Sequence, residues 1–302
     1  MTELSDLKTS TATPDPSTVL VAKRGVWRTV RRRPLFWICS VVIMVLAVLS
    51  LLPGFFAGLF GSGDPYDCDI TLSGMPPEQG HAFGFDLQGC DIYTNVIYGT
   101  RTSLSIGVLT TALALAIAFV IGTIAGYYGG WLDSVLARIT DIFLGFPFIL
   151  GAVIVLNSTG ERTVLTVSGV LALFSWPTLA RLVRTSVRQV RDADFVQGAL
   201  AMGFTTRRIL LRYILPNTIG PALVVAAIMV GGVIVAESTL TFLGVGLQAP
   251  SVSWGLQLAS AQSQFQEYPH MLLFPGLFLS VTVISVIALG DLLRDTLDPR
   301  NR

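Results

Sequence analysis

Six apolar runs divide the chain, at 35–60, 103–126, 134–157, 163–183, 217–237 and 271–291. Each is long enough to cross a bilayer as a helix, which takes about 20 residues. The first begins after Pro34 and reads LFWICSVVIMVLAVLSLLPGFFAGLF. Its apolar core exceeds the roughly 7–15 residues of a signal-peptide core and no A-x-A site follows it, so it is expected to remain as a span. The pattern predicts an all-α, polytopic membrane protein with six transmembrane helices, one N-terminal and five forming a core.

The stretches between the runs differ in character. Residues 1–33 open with a polar, proline-bearing segment that has no period, and are expected to be disordered. Residues 61–102 form a loop punctuated by Gly, Pro and Asp, within a first unit at 34–102 that precedes the main unit at 103–302. Residues 238–270 are half apolar, which suits a re-entrant or interfacial piece with Trp254 at the membrane boundary. Gly122 with Gly126, and Gly231 with Gly232, predict close helix packing within the chain; a seam with a second membrane subunit is the alternative. No internal repeat is visible.

The segment at 192–216 breaks the apolar pattern. Asp192 or Asp194 can cap a helix whose apolar positions Phe195, Ala199 and Met202 recur at helical spacing. Gly203 stands where a left-handed residue would end it. Thr205 can cap a second helix, which Pro216 stops or kinks. The expectation is two short helices joined at a glycine elbow, with an apolar face suited to a protein groove. A loop resting on lipid headgroups through Arg207, Arg208 and Arg212 is the alternative.

Composition supports the membrane reading. Of 302 residues, 52% are hydrophobic and 13% charged, against about 25% charged in soluble domains. The net charge of +1 says little, but its distribution says more. Six basic residues from Lys23 to Arg33 precede the first span, six from Arg184 to Arg212 follow the fourth, and Arg294, Arg300 and Arg302 lie in the tail. The opposite side holds two, Arg101 and Arg162. This bias predicts that both termini and residues 184–216 are cytoplasmic.

Enzymatic chemistry finds no support. The two histidines, His81 and His270, belong to no H-E-x-x-H, and there is no G-x-S-x-G. Neither lysine, Lys8 or Lys23, stands in a phosphate-binding loop. Intramembrane acids lie near span ends: Asp141, expected to pair with Arg138 one turn away, Glu237 and Asp291. A secondary transporter or channel would place such groups at mid-membrane. Cys39 is expected to pack as a small apolar residue. Cys68 and Cys90 share an external loop and are expected to form a disulfide, with a metal site including His81, or free thiols, as alternatives.

The stretch FVQGALAMGFTTRRILLRYILPN resembles the cytoplasmic coupling loop of binding-protein-dependent ABC importer permeases. That loop reads Glu-Ala-Ala, a spacer, Gly and then Leu-Pro; here the positions are Gln197, Gly198, Ala199, Gly203 and Leu215-Pro216. The resemblance covers about residues 80–300 through HAFGFDLQGCD, YGTRTSL, GYYGGWLD, WPTLARLVR, AESTLTFLGVGLQAPSVSWG and GDLLRDTLDPR. It sharpens toward the second permease of dipeptide, oligopeptide and nickel importers. Gln197 stands where the family usually has Glu, Gly198 where it has Ala, and Cys90 where it has Arg.

The resemblance implies a prokaryotic cell-membrane subunit paired with a second permease. Two ATPase subunits or domains would carry ATP and Mg, an external solute-binding protein would deliver a di- or oligopeptide, and lipid would surround the spans. Nickel or another small solute is the alternative cargo. No cofactor, metal or nucleic acid is implied on this chain. Coupling to the ATPase is assigned to Phe195, Gln197, Gly198, Ala199, Met202, Gly203, Arg207, Arg208 and Arg212. Binding-protein contact falls to His81, Gly84, Asp86, Gly89 and Asp91, and an external gate to Glu237 and Trp254.

Overall fold

The computed structural model describes residues 33–297. The expected disorder before Arg33, and the basic residues Lys23 to Arg32, Arg300 and Arg302, lie outside that range. Among the described residues there are helices and isolated bridges but no strand. Five helices are long and apolar enough to cross a membrane, or up to six if one bent pair counts as a single span.

Proline explains two departures from the expected runs. The first run is broken into α1 (Pro34–Leu51) and α2 (Pro53–Phe60). Leu52 leaves the helical region, at φ −126° and ψ 54°, because a residue before proline is sterically driven from it. The third run is likewise two helices, α4 (Gly130–Gly145) and α5 (Phe148–Ser158), bent by 88°. Phe146, before Pro147, is extended at φ −86° and ψ 130°.

Between them lies α3 (Ile92–Tyr128), which starts well before the expected position 103. Its cap is Asp91, whose carboxylate accepts from the Thr94 amide at 2.9 Å, so the helix begins in the polar loop rather than in the apolar run. The remaining elements are α6 (Val164–Arg191), α7 (Asp194–Ala201), α8 (Thr206–Ile209), α9 (Leu215–Phe242), α10 (Trp254–Ala261) and α11 (His270–Leu297). A π-turn at Leu210–Ile214 joins α8 to α9, so Pro216 does not stop the helix. The wider turn absorbs the ring and the missing N–H that an α-helical register would place badly.

The core is made by small residues. Ala114 and Ala118 of α3, Ala172 and Ala180 of α6, and Ala226 of α9 are buried together around Trp176 and Leu179. A Cβ on Gly122 would stand 2.8 Å from the Ala180 carbonyl oxygen, and one on Gly126 would stand 2.7 Å from that of Arg184. The glycine pair therefore seats α3 on α6 within the chain. Gly231 does the same for α9 against Ile287 of α11, whereas Gly232 faces open space. By contrast α1 leaves Ile38, Val41 and Met44 more than half exposed, the surface expected of a peripheral helix in lipid.

Ion pairs and long hydrogen bonds define two ends of the bundle. At one, Arg33 pairs with Asp295 at 3.9 Å, and Arg191 donates to the Tyr127 carbonyl at 3.0 Å. Arg184 and Arg188 of α6 both bind Asp133 of α4 there. The expected Arg138–Asp141 pair is corrected: Asp141 accepts from Arg181 of α6 at 2.6 Å instead. An inter-helix partner has displaced the local one. At the other end, Arg162 donates to the Gly244 carbonyl at 2.9 Å, and the disulfide loop caps α3 and α11.

Candidate coupling site and loop-side mouth

Helix α7 packs against the end of α6, in a cluster that Tyr127 of α3 joins. Its N-cap is Ala193, with no side-chain cap bond, so neither Asp192 nor Asp194 caps it as expected. Asp194 sits instead in the first turn, where a carboxylate suits the positive end of the helix dipole. The far end closes as expected. Gly203 has φ +78°, its N–H donates to the Leu200 carbonyl at 2.9 Å, and the Phe204 N–H donates to the Ala199 carbonyl at 3.2 Å. These two bonds are a Schellman closure. Thr205 is the N-cap of α8 by position, but makes no side-chain cap bond.

The faces of α7 divide differently from the expectation. Ala199 is fully buried with Val196, in a cluster with Val183, Val187, Ile209 and Ile214 of this same chain. Ala199 therefore lines no external groove. The outward apolar residues are Phe195, Leu200 and Met202, exposed by 50%, 42% and 68%. Gly198 adds an open, side-chain-free surface. Arg207, Arg208 and Arg212 are exposed and form no carboxylate pair among the described residues; Arg208 lies 4.3 Å over the Phe204 ring.

Gln197 holds α7 to α6, its amide donating to the Arg191 carbonyl at 3.0 Å. A carboxylate could not make this bond, since it only accepts.

At the opposite end, Cys68 and Cys90 are joined as a disulfide. The residues expected to contact a binding protein turn out to build the loop from within. Asp91 is 2% exposed. Besides capping α3 it accepts from the Ser62 amide at 3.3 Å and lies 3.3 Å from the His81 ring. Gly84 and Gly89 have φ +75° and +76°, and a Cβ on Gly89 would fall 1.8 Å from the Asp69 carbonyl oxygen. Asp86 accepts from the amides of Gln88 and Cys90 at 2.8 and 2.9 Å. Burial pushes its carboxyl up from the ordinary carboxylate range, against the pull of those N–H groups. The loop's exposed apolar residues, Tyr66, Ile70 and Met75, carried no sequence signal beyond being apolar in a polar loop.

The gate candidates are also internal. Trp254 is completely buried, and its indole N–H donates to the Val96 carbonyl at 3.1 Å. It is a strut between α10 and α3, with no surface left to present to lipid headgroups. Glu237 is equally buried; it accepts from Thr241 at 2.9 Å, whose hydroxyl in turn accepts from the Leu247 amide at 3.1 Å. That relay folds the turn after α9. The half-apolar 238–270 segment is thus a wedge packed on its own chain, with α10 between α3, α9 and α11.

Residues 118–302, from the last third of α3 through α7 to the end of the chain, match the family described as the binding-protein-dependent transport system inner membrane component. The chain belongs to that family. It is 35% identical over 261 residues to the dipeptide transport system permease protein DppC of Alkalihalophilus pseudofirmus, covering 86% of each chain. It is 34% identical over 281 residues to the glutathione transport system permease protein GsiD of Pectobacterium atrosepticum, covering 92% of each. An inward-facing structure of the MetNI methionine ABC transporter shares the fold, at a TM-score of 0.56 and 16% identity, over 68% of this chain and 97% of the other.

As an inner membrane component of an ABC importer, the chain is a translocation subunit. The matched residues begin inside α3, so α1, α2 and the disulfide loop stand outside them.

Proposed function

We propose that this permease imports small peptides, pairing with a second permease and coupling to ATPase subunits through α7. The observation that carries the coupling role is the outward face of Phe195, Leu200 and Met202 on a helix closed at Gly203 and tied to α6. Exposed apolar groups at a polar end of a membrane bundle suit a protein groove better than headgroups. ATP and Mg reside on the ATPases, and an external binding protein delivers the solute to the disulfide-loop end. Relatives named for dipeptide and glutathione transport support a peptide cargo. The basic residues at the α7 end support a cytoplasmic position for it.

The test is uptake of a labelled dipeptide by the complete importer, read beside ATPase co-purification. Met202→Glu should leave the chain inserted while uptake falls at least tenfold and the ATPase is lost or uncoupled. Full uptake and full ATPase binding by Met202→Glu and Phe195→Glu would reject the coupling face. Transport of another solute but no peptide would reject the cargo alone.

A further inference from the structure

The loop-side end carries charge of one sign. Residues 61–91 and 238–270 together hold seven carboxylates and no lysine or arginine. Asp91 is buried and Asp86 accepts from the loop's own amides, but Asp64, Asp67, Asp69, Glu78 and Glu267 are exposed. Of the two arginines at this end, Arg162 is held by the Gly244 carbonyl and the Asn157 side chain, each at 2.9 Å, and Arg101 is the exposed one. Among the acids stand large apolar side chains. Tyr66 and Ile70 are 64% and 69% exposed, and Met75 and Phe265 are exposed as well. The two segments adjoin at Gly74, where an added Cβ would stand 2.6 Å from the Tyr268 ring. The loop and the turn that carries Phe265 and Glu267 therefore form one surface.

The backbone beneath that surface is fixed. Besides the Cys68–Cys90 disulfide, the Asp69 N–H donates to the Gly89 carbonyl at 3.0 Å. The Ser73 hydroxyl donates to the Leu87 carbonyl and the Tyr66 hydroxyl to the Pro250 carbonyl, both at 2.8 Å. A surface already held in one shape loses little entropy on docking. Large apolar groups kept exposed inside a polar rim mark an interaction surface, and the sign of the rim selects the occupant. A second copy of this chain would set carboxylate against carboxylate, and anionic headgroups would be repelled in the same way. We propose that this surface docks the external solute-binding protein, which meets it with an apolar patch ringed by lysine and arginine. Tyr66, Ile70, Met75 and Phe265 make the contact that excludes water, and the exposed carboxylates attract and orient the incoming protein. Gly84, Gly89 and Asp91 serve the contact only by shaping the loop.

The inference rests on the reading of this chain as an importer subunit fed by a binding protein, and it is tested by docking without uptake. The intact importer in nanodiscs is titrated with the purified binding protein of the same importer, and affinity is followed by interferometry. Raising the salt from about 50 to about 500 mM should weaken docking at least tenfold, because charge attraction across the contact is screened. Ile70→Ser should weaken docking at least tenfold at either salt. Glu267→Lys should do so at low salt and have little effect at high salt. ATPase co-purification should stay at the unaltered level in both variants, which separates lost docking from lost assembly. If Ile70→Ser fails to assemble, Phe265→Ser decides, with the same expected loss. No docking on the unaltered importer, docking indifferent to salt, or full affinity in Ile70→Ser or Glu267→Lys would overturn the surface. So would self-association of the importer that Ile70→Ser abolishes while docking persists. Full docking in the variants beside normal peptide uptake rejects this surface alone, whereas normal docking without peptide uptake rejects the cargo alone.

Discussion

Single residues set the tolerances of this bundle, and glycines show it most directly. Gly126 meets the Arg184 carbonyl and Val187, where an added Cβ would stand 2.7 and 2.9 Å away. Gly126→Val should therefore overpack the seam of α3 and α6, costing about 1–3 kcal/mol, read as earlier thermal unfolding in detergent. Gly232→Ala, facing open space, should be neutral or slightly stabilising. Equal melting of both variants would reject the packing argument. Gln197 is a second such residue. Gln197→Glu restores the family's usual side chain but removes the donor to the Arg191 carbonyl, and should cost about 0.5–1.5 kcal/mol. Amide exchange at α7 should report the loss. If the Glu variant protects α7 equally well, the side-chain bond contributes nothing to docking the helix.

Among the elements, α7 has the sharpest conformational requirement. A Cβ on Gly203, at φ +78°, would meet no atom within 4 Å, so only backbone strain opposes substitution. Gly203→Val should cost about 1–2 kcal/mol through fraying of the α7 C-terminus, visible as faster exchange of the Gly203 and Phe204 amides. The elbow was legible in the sequence because only glycine relieves that strain. The glycine pair in α3 was equally legible, through its spacing. The direction in which α7 faces was not, because Phe195 and Ala199 share a helical face and only the neighbours decide which is covered. Val183 and Val187 of α6 cover the smaller one. For the same reason Trp254 read as a boundary aromatic: its partner, the Val96 carbonyl, lies 158 residues away in sequence. Asp141 was misassigned to Arg138 by the same blindness to long-range partners, its mate Arg181 being 40 residues off.

At the scale of the whole molecule, the two ends differ in chemistry, and both can be probed from outside intact cells. Ile70→Cys, at the exposed tip of the loop, should react with an impermeant thiol reagent, whereas Thr205→Cys should not; the reverse pattern would invert the topology. Reduction of Cys68–Cys90 opens a loop spanning 22 residues. It should remove about 3 kcal/mol of chain-entropy stabilisation, seen as new proteolysis within residues 61–91 while the long helices stay intact.

The bond from Arg191 to the Tyr127 carbonyl has a mechanical meaning for this architecture. Arg191 closes α6, its side chain grips the end of α3, and its own carbonyl is held by Gln197 of α7. A load applied at Phe195 or Met202 therefore has no slack joint to spend itself in. It would reach two long helices seated closely on each other at Gly122 and Gly126, and these are expected to move together. The sharpest corner of the bundle lies elsewhere, the 88° bend between α4 and α5. Spin labels at 128 and 190 should keep one separation through the ATP cycle, while labels straddling Phe146–Pro147 change theirs.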